Sequence, residues 1–177
     1  MNDTVIIIII VLSVLALFLI SKIKKCPNDK VIVKYGLVSR SKDGTQRSAV
    51  IIQNGFTFVV PIIQSFKLLD LNPISFSLDL SKELNKRIDF SLECKVAIST
   101  EPDFLQNAAE RLLGLAPSEI SELSKSLIIG ELGRIIESIG LEEDFSYRNK
   151  LLEASITNIE AVLKEIGLRL LEMKFVA

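Results

Sequence analysis

An unbroken apolar run, Val5 to Ile20, constrains this chain more than any other stretch of it. The run holds no charge, no Pro and no Gly, and Ser13 is its only polar residue. As a helix rising ~1.5 Å per residue it reaches roughly 24 Å, slightly short of the ~30 Å hydrocarbon core of a bilayer. Thr4, Ser21 and Ile23 can lengthen it, and Lys22 can carry its charge outward on a buried stem. A helix pairs its own backbone amides, so such a segment sits in lipid with none unsatisfied. The run is expected to be a transmembrane anchor, its length marked by Val5, Ile10, Leu15 and Ile20. Two other readings compete. A cleaved signal peptide needs a basic head and a small-residue cleavage site, but Met1-Asn2-Asp3 is acidic and SKIKKCP offers no such site. A buried core helix normally keeps one polar face, and this run has none.

Lys22, Lys24 and Lys25 follow the run directly as a basic collar, and only the amino terminus is basic before it. Lysines at one end of a span set its orientation, positive side cytoplasmic. The expectation is a single-pass protein of the cell membrane with its body in the cytoplasm. Each lysine this close to anionic lipid gains roughly 1 kcal/mol.

Composition narrows the function classes. The chain has 177 residues and a net charge of −1, so the body has no concentrated basic surface for nucleic acid. Two Cys, far apart and outside any C-x-x-C, exclude a disulfide framework and the usual structural zinc cluster. The absence of His removes Ser-His-Asp and Cys-His triads and HExxH metal sites. No EF-hand spacing, GxxxxGK[ST] or GxGxxG occurs, so no metal or cofactor is expected. A Ser-Lys pair or paired carboxylates keep an enzyme open in principle, but nothing selects a pair.

Three stretches follow from these patterns: the anchor and collar over 1–25, a β-rich part over 26–100 and a helical part over 101–177. Val31–Tyr35 and Ser48–Gln53 read as strands, with a polar loop containing Asp43-Gly44 between them. Asn54-Gly55 is the strongest short hairpin signal and should join the second strand to a third over Phe56–Val60. Ser65–Leu71 is a further strand. Ile74, Phe76, Leu78 and Leu80 alternate with polar residues, as do Ile88, Phe90, Leu92, Cys94, Val96 and Ile98 around a turn at Leu84-Asn85-Lys86. Such alternation suggests an antiparallel sheet with one packed face. After Thr100 the period becomes helical. Glu101–Leu113 ends at Gly114, a second helix starts at Pro117, and a third from Phe145 carries the stripe Leu152, Ile156, Ile159, Leu163 and Ile166. Gly167 caps it and Leu168–Phe175 returns as a strand. The body is α+β.

The ordered pieces KCPNDKVIVKYG, NGFTFVVPIIQSFKLLDLNPISFSLD, AAERLLGLAPSEISELSKSLIIGELGRIIESIGLEE and IGLRLLEMKF behind an N-terminal anchor resemble the stomatin/prohibitin/flotillin superfamily, known as SPFH or band 7. The helical stretch is most similar to bacterial flotillins. The resemblance implies a non-enzymatic membrane scaffold whose partners are the lipid bilayer and further copies of itself, in a ring or cage that organises membrane microdomains. It also implies an alternative, an accessory subunit that regulates a membrane protease. A membrane-bound enzyme is the alternative of another class. In flotillins a long coiled-coil region follows the domain, whereas this sequence ends at Phe175-Val176-Ala177.

Certain residues are candidates for contact. Phe56, Phe58, Val59, Val60, Ile62 and Ile63 form a second apolar stretch, too short to span and interrupted by Pro61. The resemblance places Phe56, Phe58, Val59 and Ile62 against the membrane surface, while a buried strand is the preferred reading of the residues alone. Cys26, just past the collar, is a candidate acylation site, with an ordinary free thiol preferred. Cys94 reads as a small core residue. Glu119, Glu122, Glu131, Glu137, Glu142, Glu143 and Asp144 read as a solvated face. A minority reading pairs them with Arg87, Arg111 or Arg134 of a neighbour in a ring.

Overall fold

The computed structural model describes residues 2–36, 49–60, 63–80, 91–139 and 145–176. The chain divides into two compact units, Met1–Leu69 and Asp70–Ala177.

The first unit opens with α1 (Asn2–Ile20), the helix expected from the apolar run. No described side chain on α1 is buried, and its large apolar side chains range from Leu19 at 46% exposed to Leu17 at 68%. Among the described residues, no helix is long and apolar enough to cross a membrane. Where a crossing is expected, the structure shows an exposed apolar helix. Its 19 residues rise about 28 Å, just under the ~30 Å hydrocarbon core.

The basic collar runs into β structure. Ile23–Lys25 forms a strand, β1. The other strands of this unit are β2 (Lys30–Gly36), β3 (Ala49–Ile52), β4 (Phe56–Phe58) and β5 (Gln64–Asp70). β1 pairs antiparallel with β4, and the remaining three form a sheet in the order β3-β2-β5. The Asn54-Gly55 turn thus joins no hairpin. β3 pairs with β2 and β4 with β1, so the turn carries the chain from one sheet to another. Asn-Gly supplies a tight reversal whatever follows, and ladder partners are chosen by which side chains must be buried. Val31, Ile32 and Val33 are all fully buried, a β-branched run covered on both faces. β2 ends at Gly36 with φ 108°, where an added Cβ would strike the carbonyl oxygen of Ile63, so only glycine allows this approach.

Among the described residues, the second unit holds a three-stranded antiparallel sheet and three helices. β6 (Ile74–Asp79), β7 (Ser91–Ile98) and β8 (Leu168–Val176) lie in the order β6-β7-β8. The helices are α2 (Pro102–Arg111), α3 (Pro117–Ile139) and α4 (Phe145–Glu165). α3 packs along α4, α4 packs on β8, and α3 reaches β6. The period change at about Thr100 falls inside the second compact unit, Asp70–Ala177. β6 and β7 precede it, yet their partner β8 closes the chain, so all three strands belong with the helices.

The alternation in the sheet is realised as expected. Phe76 stands opposite Cys94 and Leu78 opposite Leu92, all four buried. Burying side chains of this size contributes about 1.5–3 kcal/mol each for Leu and Phe. A bulge interrupts the β7–β8 ladder: Lys95 pairs with Glu172 and Val96 with Leu170, leaving Leu171 unpaired and 42% exposed. Past it Val96, Ala97, Ile98 and Ser99 are all buried, which strict alternation does not foresee. On α4 the inward row is Ser155, Ile159 and Leu163 at four-residue spacing, with Ile156 displaced to its edge at 37% exposed. The expected stripe is corrected there.

The loop at Asp43-Gly44, the turn at Leu84-Asn85-Lys86, residues Arg87, Ile88 and Phe90, Ile62, and Glu142, Glu143 and Asp144 lie outside the described residues. The α+β class with antiparallel sheets stands.

Candidate membrane-contact site

The site is a short ribbon built where α1 ends. Ser21 Oγ donates to the Phe18 carbonyl at 2.7 Å, closing the last turn of the helix. The chain then enters β1, whose register with β4 is Ile23↔Phe58, Lys24↔Thr57 and Lys25↔Phe56. Cys26 N–H donates to the Gly55 carbonyl at 2.9 Å, which anchors the ribbon at its turn.

Successive side chains of a strand point to opposite faces, and opposed residues of an antiparallel pair share a face. One face of the ribbon therefore carries Ile23, Lys25, Phe56 and Phe58. The other carries Lys22, Lys24, Thr57 and Val59. Phe56 is 70% exposed, Phe58 42% and Ile23 47%. Ile63, just before β5, is 47% exposed as well. Thr57 and Val59 are buried.

This corrects the preferred reading of a buried apolar strand: its aromatic residues point out and its threonine points in. The membrane-surface candidates separate accordingly. Phe56 and Phe58 are presented outward, Val59 is removed into the unit, and Ile62 lies outside the described residues. Ile23, which reads as an extension of the anchor, joins the aromatic face instead. The signal that could have found it is the alternation of Lys22, Ile23 and Lys24.

The collar lysines are spread over both faces. Lys22 Nζ lies 4.7 Å from the centroid of Phe18, and Lys24 Nζ 5.9 Å from that of Phe66. Each ammonium thus rests near an aromatic ring, a contact worth about 0.5–1 kcal/mol at an exposed site. Lys34 Nζ donates to the Phe58 carbonyl at 3.4 Å. Ser21, Lys22, Lys24, Val59, Gln64, Ser65 and Phe66 line a cleft of about 330 Å³ beside the ribbon.

Val5, Ile10, Leu15 and Ile20 are all more than half exposed on α1. Cys26 is 3% exposed, its Sγ within 3.2 Å of the Lys30 carbonyl and 3.3 Å of that of Ile52. A thiol so enclosed is not presented to an acyl donor, which sets the structure against the acylation reading. Cys94 is buried on the inner face of β7.

The acidic residues are not one solvated face. Glu119 Oε2 accepts from the Ala116 N–H at 2.6 Å at the start of α3, and Glu122 pairs with Lys125 at 2.8 Å. Glu131 is 5% exposed and holds Arg134 at 3.1 Å within its own helix. That bond already employs one of the arginines considered as contacts for a neighbour. Among the described residues, no cluster of Cys, Asp and Glu could hold a metal ion.

No curated protein matches this sequence. The family model described as SPFH domain / Band 7 family matches residues 25–176, from the last collar lysine to the end of β8. Such a match over nearly all of the body, on an α+β fold of antiparallel sheets, means that the chain belongs to the SPFH domain / Band 7 family, whose members are in general membrane-associated and scaffold-type.

Proposed function

We propose that this protein is a membrane-anchored scaffold, seated in the bilayer by α1, with its body on the cytoplasmic side. The observation that carries this reading is the unbroken exposure of α1. Fourteen large apolar side chains stand open along the helix. At about 0.3–0.6 kcal/mol each for entering lipid, they favour insertion by roughly 4–8 kcal/mol. The remaining length is small enough for Ser21, the snorkelling Lys22 and slight local thinning of the bilayer to supply.

Directly after the helix, the Phe56/Phe58 face gives a second, shallower contact at the headgroup boundary. The helix fixes the height of the body and the ribbon fixes its tilt. Self-assembly is the second half of the proposal. Confinement to a surface raises effective concentration, so modest lateral contacts suffice for large homo-oligomers that organise microdomains around partner membrane proteins.

The test is fractionation of the full chain. Expected is recovery in the membrane pellet, resistance to high salt, and a large particle after gentle detergent extraction. A soluble monomer free of lipid overturns the reading.

A further inference from the structure

We propose that the cleft lined by Lys22, Lys24, Gln64, Ser65 and Phe66 binds the phosphate of an anionic phospholipid headgroup. The inference rests on the anchoring by α1 and goes beyond it, because it makes the collar a binding site and not a diffuse positive charge.

Four observations carry it. The first is position. The cleft begins at Ser21, the residue that follows α1, so it lies at headgroup depth when α1 lies in the acyl region. The second is charge. Among the described residues, neither Lys22 nor Lys24 is paired with a carboxylate, and both line the same cavity. The third is how they are held. The Val59 N–H donates to the Lys22 carbonyl at 3.2 Å, and Lys24 pairs with Thr57 in the ladder, so both lysines leave a fixed backbone on one face of the ribbon. Their ammoniums rest beside Phe18 and Phe66, and Phe66 is itself part of the cleft wall.

The fourth is the neighbouring polar chemistry. Gln64 Oε1 accepts from the Val60 N–H at 3.1 Å, which fixes the carboxamide, and Gln64 and Ser65 both line the cleft. Two lysines on one face of the ribbon, beside polar wall residues and about 330 Å³ of space, suit a phosphodiester, whose oxygens accept charge-assisted hydrogen bonds. The volume is at the lower end of ligand pockets, ~300–1,000 Å³. Val59 and the Phe66 ring supply apolar wall for the glycerol carbons. Lys25 has the same charge at the same height, but alternation sends it to the opposite face, outside the cleft.

That geometry makes Lys25 the internal control. The full chain is reconstituted in phosphatidylcholine vesicles containing phosphatidylglycerol with a photoreactive headgroup, and labelling of the Gln64–Phe66 segment is read by mass spectrometry. Flotation with the vesicles is scored first. A chain that does not float overturns the anchoring and the cleft together. In a floating chain, Lys24→Gln is expected to cut labelling more than tenfold while Lys24→Arg retains it, and Lys25→Gln is expected to cost less than the fivefold or so that one lysine supplies to diffuse attraction. Protection of Cys26 from alkylation confirms that the ribbon is folded in each variant. Equal losses from Lys24→Gln and Lys25→Gln overturn the cleft and leave the anchoring intact. Loss of labelling on adding inorganic phosphate assigns the site to free phosphate and overturns the headgroup.

Discussion

The Val59 N–H donates to the carbonyl oxygen of Lys22 at 3.2 Å, adding one rung to the β1–β4 ladder beyond Ile23↔Phe58. This bond ties Lys22, two residues past the apolar helix, to Val59 just beyond the aromatic strand. It determines the phase of the ribbon: Val59 and the two cleft lysines face one way, and Phe56, Phe58 and Ile23 face the other. A slip of one residue would exchange the two faces completely.

The outward aromatic face is testable with one reporter, since the chain has no Trp. Phe56→Trp or Phe58→Trp in the reconstituted full chain should emit at a blue-shifted wavelength and be quenched by lipids brominated near the headgroup end of the acyl chain. Emission typical of water, indifferent to bromine, would remove the ribbon from the membrane surface.

Gly167 joins α4 to β8 with φ 84°, and an added Cβ there would collide with Ala108 and the Phe104 carbonyl of α2. Gly167→Ala should lower stability by about 2 kcal/mol or more, combining backbone strain with overpacking. The urea midpoint of the detergent-solubilised chain measures it. A shift below a few tenths of a kcal/mol would mean that α2 does not press on this turn.

Both thiols are enclosed and should resist alkylation until the chain unfolds. Burial, with the charge of Glu93 second, pushes the Cys94 thiol up from its ordinary 9.0 to about 12. The folded state thus holds the proton more tightly than the unfolded chain. Its contribution is complete below about pH 9 and is lost as pH rises toward 12, at roughly 1.4 kcal/mol per pH unit. Stability measured across this alkaline range should fall in the native chain, and Cys94→Ala should flatten the profile. Parallel profiles would contradict the assignment.

Glu119 reaches back to the Ala116 N–H at the start of α3, half of a capping box. Glu119→Ala should cost about 1 kcal/mol, with Glu119→Gln recovering most of it. Equal stability of Glu119→Ala and the native chain in urea would show that water caps the helix as well.

Much of this architecture is legible in the residues. The helix over Val5–Ile20 follows from an apolar run with no breaker, and β6 and β7 from strict alternation around Phe76, Leu78, Leu92 and Cys94. Gly114, Pro117 and Gly167 punctuate the helices where their backbone chemistry requires. The contact site was legible only in parts. The residues alone mark Phe56 and Phe58 as apolar and favour their burial, and only the family resemblance points them outward. Gln64, Ser65 and Phe66 carried no signal beyond that of a strand, because a cleft wall is defined by what stands across from it.

By itself, then, the sequence determined the local states: an apolar helix, strands of period two, helices of period 3.6, and a lysine cluster behind the first. These depend on neighbours a few residues away, which the order of residues contains in full. Only the tertiary structure decided that Lys24 pairs with Thr57, that Asn54-Gly55 connects two sheets, that β8 returns to β7, and that Cys26 is shut away. Those outcomes turn on which distant strands share a ladder, and that choice is made by the burial of the whole unit and not by any segment within it.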